Sequence, residues 1–91
     1  MNDYLGWRSF RELDQTSGMA KGSAFKVFKR IEQGLEESHD YVLLRLQDQR
    51  DLIETLRSSQ RIYASSMNVV LLSPATERLI LNQLQKDSSE P

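Results

Sequence analysis

Two short segments, each opened by a serine and closed by a glycine, lie close together in the first third of the chain: Ser9 to Gly18 and Ser23 to Gly34. Glycine takes the left-handed turn that follows a helix end, and serine supplies an oxygen that caps a helix start. Ser9-Phe10-Arg11-Glu12 has the capping-box pattern, in which the serine side chain and the glutamate side chain each satisfy an amide of the other residue. Phe10, Leu13 and Ser17 then share one side of the first helix. Between Gly18 and Ser23 only a tight turn fits, with Met19 plugging the gap between two crossing helices. This spacing predicts a helix-turn-helix.

Projected at about 100° per residue, the second helix divides sharply. Ala24, Val27, Phe28 and Ile31 fall within about 60° of one another's centre and form a core stripe. Lys26, Lys29, Arg30 and Gln33 occupy the opposite side, with Ser23 beside them, and Phe25 lies on the border. From Lys21 to Arg30 there are four basic residues and no acid. Lysine and arginine neutralise phosphates, and arginine and glutamine also bond base edges in pairs.

Further along, Tyr41 to Leu46 reads as a strand and Gln47 to Ser58 as an inserted helix. Arg61 to Ser65 and Asn68 to Leu72 read as two short strands, joined as a hairpin over Ser66-Met67. Ser73-Pro74 opens a last helix running to about Lys86, with proline where a missing amide costs nothing. The expected fold is α+β and mostly helical: a winged helix-turn-helix with a small antiparallel sheet. It forms one domain over residues 1–86, followed by a frayed tail at 87–91. The wing is the loop Tyr63 to Asn68. It adds Ser65, Ser66, Asn68 and nearby Arg61 to a DNA-contacting set of Lys21, Ser23, Lys26, Lys29, Arg30 and Gln33.

Charge distribution sharpens this reading. The 91 residues carry a net charge of −1, which argues against coating nucleic acid through bulk charge. Yet residues 1–31 are net positive, whereas 32–60 hold seven carboxylates against three arginines. Cysteine is absent and His39 is the single histidine. Disulfides, thiolate zinc sites and multi-histidine metal sites are therefore excluded. His39 reads as a solvated loop residue beside Asp40. Asp48, Asp51 and Glu54 read as partners of Arg50 and Arg57. Tyr4 and Trp7 read as core or interface aromatics. No glycine-rich phosphate loop or nucleophile elbow occurs. The expectation is a non-enzyme without cofactor or metal. With no long apolar run or signal-peptide pattern, the expected setting is the cytoplasm, away from membranes.

In the last helix, Ile80, Leu81 and Leu84 point away from the direction set by Ala75 and Leu79. Apolar groups occupy too much of the circumference for one core stripe. Those three residues are the expected homodimer interface, which would present two recognition helices to a palindromic site on double-stranded DNA.

Lys29-Arg30-Ile31-Glu32, Gly34-Leu35-Glu36-Glu37 and Asp40-Tyr41-Val42-Leu43-Leu44 resemble a stretch of phage antirepressor N-terminal domains and related prophage regulators. Ile62-Tyr63, Val69 to Ser73 and the helix after Pro74 are similar to later parts of the same group. The likeness spans about residues 10–84 and departs at Ser38 and in 47–58. It implies a small regulator from a phage, prophage or other mobile element. The first expectation is a sequence-specific transcriptional regulator. The second is a protein-binding modulator of a host or phage partner, built on the same fold and docking through the acidic middle segment.

Overall fold

The structure, a computed structural model, describes residues 6–89 and the side chains of 6–86. Tyr4 therefore lies outside the described residues. The chain is an α+β fold of four helices and a three-stranded antiparallel sheet among those residues. In order, these are β1 (Arg8–Ser9), α1 (Phe10–Ser17), α2 (Ser23–Ile31), β2 (Tyr41–Leu44), α3 (Arg50–Ser58), β3 (Val69–Leu72) and α4 (Pro74–Ser89). A short 3-10 turn, Glu32–Gly34, extends α2.

The start of the chain folds through local chemistry. The Ser9 hydroxyl accepts the Glu12 amide at 3.2 Å, and the Glu12 carboxylate accepts the Ser9 amide at 2.9 Å. Gly18 closes α1 in the left-handed region at φ 70°, where its amide reaches the carbonyls of Asp14 and Gln15. Met19 then packs against the core, as expected for the turn.

The central strand is β3, with β1 on one edge and β2 on the other. The register runs from Tyr41 opposite Leu72 to Leu44 opposite Val69. Side chains alternate between two apolar layers. Tyr41, Val70 and Leu72 face the layer built by α1, α2 and α4, with Leu13, Ala24, Val27, Phe28, Ile80 and Leu84. Val42, Leu44, Val69 and Leu71 face the other layer, with Ile53 and Leu56 of α3 and with Ile62. Because both faces are covered, Val69 to Leu72 is an unbroken apolar run rather than an alternating one.

Four expectations are corrected. Arg61 to Ser65 is not a strand, so no hairpin forms over Ser66-Met67. Both edges of β3 are already occupied, the second by β1, which the sequence reading missed. Side chains satisfy the backbone there instead: the Ser9 hydroxyl donates to the Arg61 carbonyl and Arg11 donates to that of Ile62. Ser23 does not cap α2, whose cap position is Gly22 at φ 93°, without a side-chain bond of its own. The phase of α4 is reversed: Thr76, Ile80 and Leu84 point inward, whereas Ala75 and Leu79 are exposed. Last, α4 continues to Ser89, so most of the expected tail is helical; Glu90 and Pro91 lie outside the described residues.

Candidate nucleic-acid interface

What holds α2 in place is a buried carboxylate. Asp14, on α1, is 2% exposed. It accepts the Gly22 amide at 2.9 Å, the Ala24 amide at 2.8 Å and the Tyr63 hydroxyl at 2.6 Å. It thus does from α1 what an N-cap side chain does from within a helix, satisfying amides that α2 leaves unpaired. Sequence reasoning missed this role. The available signal was helical spacing: Asp14 lies four residues after Phe10 and three before Ser17, on the inward side of α1. Burial and the bond to Asp14 push the Tyr63 hydroxyl up to about 12, so it remains a donor at neutral pH.

Beyond that anchor, the outward face of α2 carries the expected basic set. Lys26, Lys29, Arg30 and Gln33 are exposed, and Ser23 is half-buried. Lys26 makes no ion pair among the described residues, while Lys29 meets Glu32 at 2.8 Å. Ser23, Lys26 and Arg30 share a groove of about 370 Å³ whose floor is Met19, Val27 and Leu84. Lys21 stands at the N-terminal end of α2, its ammonium 4.8 Å from the centre of the Tyr63 ring. Phe25, half-exposed on this helix, meets Phe10 edge-on at 5.6 Å.

The loop residues separate from that face. Arg61 is turned into the fold: its guanidinium grips both oxygens of Glu12 at 3.1 Å and donates to the Trp7 carbonyl at 2.6 Å. Ser66 is half-buried and its carbonyl is held by Arg57, whereas Ser65 is exposed. Asn68 accepts the Leu46 amide at 3.2 Å. Of the expected dimer residues, Ile80 and Leu84 are 0% and 1% exposed and Leu81 is half-buried against the same core. Ile80 and Leu84 thus belong to the molecule's own interior, while Leu81 keeps part of its surface exposed. Leu79, at 52%, is the exposed apolar residue of this helix.

The acidic segment is divided: Glu32 sits beside Lys29 at the end of α2, and the α3 carboxylates lie elsewhere. Helix α3, with exposed Asp51 and Glu54, packs on the opposite face of the sheet from α2. Glu54 pairs with Arg57 at 3.0 Å, as expected, whereas Arg50 has no such partner among the described residues. His39 is exposed with its Nδ1 3.1 Å from Asp40, and Glu36 brings a third ligand-type atom within 4.8 Å. The Glu36 amide donated to Asp40 holds that carboxylate below the usual range.

No family model, curated protein or solved structure matches this chain. Among the described residues, no helix is long and apolar enough to cross a membrane.

Proposed function

We propose that the chain is a winged helix-turn-helix protein that binds double-stranded DNA, with α2 as the recognition helix in the major groove. The observation that carries this reading is the pairing of a rigidly anchored α2 with an outward basic face. Asp14 fixes the helix, Lys26, Lys29 and Arg30 are exposed on it, and Gln33 is exposed on the 3-10 turn that follows. A recognition helix needs both properties, since base edges are read only from a fixed register on the backbone. The expected wing, Tyr63 to Asn68, lies after α3 in the connection between the paired strands β2 and β3, and this placement supports the winged plan. Separation of the α3 carboxylates from α2 by the sheet keeps their repulsion away from a duplex there, while Glu32 stays beside the helix, paired with Lys29.

In this reading the chain is a transcriptional regulator, and its origin in a phage or mobile element rests on the sequence resemblance alone. A salt-dependent gel shift, using fragments from the protein's own genomic neighbourhood, tests it. The double variant Lys26→Ala/Arg30→Ala should lower the log–log salt slope by about two units while the protein stays folded. Unchanged affinity in that variant would favour the second reading. There, exposed Asp51 and Glu54 on the far face of the sheet dock a basic host or phage protein.

A further inference from the structure

Tyr63, in the connection between α3 and β3, is the meeting point of two cations from different parts of the chain. The Lys21 ammonium stands 4.8 Å from the centre of its ring, and the Arg11 guanidinium stands 5.7 Å from it. Both lie within the roughly 6 Å over which a ring face attracts a cation. The sum of the two distances caps the separation of the charges. Arg11 comes from α1 and Lys21 from the turn before α2.

Like charges repel, so a fold that gathers two cations leaves room for an anion beside them. Among the described residues, neither Arg11 nor Lys21 makes an ion pair, whereas Arg8, Lys29, Arg57 and Arg61 each meet a carboxylate. The carboxylate bonded to Tyr63 is that of Asp14, and its oxygens are taken by the Gly22 and Ala24 amides and the Tyr63 hydroxyl. Arg11 spends one donor on the Ile62 carbonyl at 3.3 Å and keeps the others. Lys21 is exposed.

The pair is placed by the groups that place α2. Asp14 holds the first amides of α2 and the Tyr63 hydroxyl together, so the ring that both cations approach is tied to the start of the helix. Lys21 lies in sequence between Met19 and Ser23, and both of these line the groove that holds Lys26 and Arg30. The two cations therefore stand at the N-terminal end of that groove. On one strand of B-form DNA a phosphate recurs about every 3.4 Å of helix axis. Charges this close together reach one phosphate or near neighbours on the same strand.

We infer that Arg11 and Lys21 together grip the phosphate backbone of the duplex bound by α2, at the N-terminal end of that helix. This inference rests on the DNA-binding reading. It adds to the expected set a residue of α1, Arg11, which helical spacing did not single out.

The test compares three full-length proteins on one duplex: wild type, Lys26→Ala/Arg30→Ala and Arg11→Gln/Lys21→Gln. Glutamine removes each charge and keeps a donor for the Ile62 carbonyl, so circular dichroism should be unchanged. The salt slope of Arg11→Gln/Lys21→Gln should fall by about two units relative to wild type. Hydroxyl-radical protection should shorten at one end of the footprint only. A wild-type slope and footprint in this variant, with binding weakened in Lys26→Ala/Arg30→Ala, would overturn the inference and leave the DNA reading standing. Weaker binding at a wild-type slope would overturn it as well, since that outcome marks a purely structural role. Absence of duplex binding by the wild type would overturn both readings. Should the double variant unfold, Lys21→Gln alone, at an exposed position, should lower the slope by about one unit, and an unchanged slope there would overturn the inference.

Discussion

The two faces of the sheet are built by different means. On the α2 side, apolar packing is combined with a buried polar anchor: Asp14 satisfies two amides of α2 and one hydroxyl from a distant loop. On the α3 side the buried set is entirely aliphatic, with Val42, Leu44, Ile53, Leu56, Ile62, Val69 and Leu71. There, polar work is done at the rim by arginines that clamp irregular backbone. Apolar contact is non-directional, so it places an element without fixing its rotation closely. Hydrogen bonds to a buried carboxylate are directional and costly to leave unmade. The α2 face is the one that carries them.

The largest test of this contrast removes apolar mass from each face. Phe28→Ala should cost about 3–5 kcal/mol and Ile53→Ala about 2–5 kcal/mol. Both should give one cooperative transition in urea, since β3 belongs to both layers. Two separate transitions would show that the layers fold independently.

A smaller effect separates the faces. Asp14→Ala strands two amides and a hydroxyl and should cost about 1–3 kcal/mol in urea melts. Duplex affinity should also fall at temperatures where the variant remains folded, because α2 loses its anchor. An Asp14→Ala protein with wild-type stability and affinity would remove the polar anchor from the account.

Tyr63→Phe, which deletes one donor, should cost about 0.5–1.5 kcal/mol. The pH dependence follows from the hydroxyl, raised from 10.0 to about 12 in the fold. A group whose folded value is raised contributes stability that is complete below its unfolded value. That contribution is lost as pH rises from 10 towards 12, where tyrosinate forms. Alkaline titration followed by tyrosinate absorbance and circular dichroism should show this loss in the wild type. The Phe variant should lack that component.

The smallest expected effect is on α4. Leu79→Glu alters an exposed position and should change stability by no more than about 0.5 kcal/mol. Urea melts showing a loss of several kcal/mol would mean that Leu79 is covered in solution by a second molecule, detectable by light scattering.

The expected DNA-binding residues divide along the same line. Lys26 and the Phe28 stripe were legible because one helix of known pitch displays them. Arg61 was not, because its partners Glu12 and Trp7 are 49 and 54 residues away. Its exposure depended on which strand filled the edge of β3. The α4 stripe was misread for a related reason. Leucine and isoleucine lie almost all round that helix, so periodicity alone left its inward side undecided until Leu72, Val27 and Leu13 packed against it.

By itself, the sequence determined the capping box at Ser9, the Gly18 turn, the basic side of α2 and the Ser73-Pro74 helix start. Each is decided within about one helical turn by backbone geometry and nearby hydrogen-bonding groups. Only the tertiary structure decided that β1 takes the second edge of β3 and that Asp14 caps α2. It also turned Arg61 inward while leaving Arg45 and Arg50 outward. Those outcomes come from competition between groups far apart in the chain for a few sheet edges, buried surfaces and backbone acceptors. No local pattern records which competitor arrives.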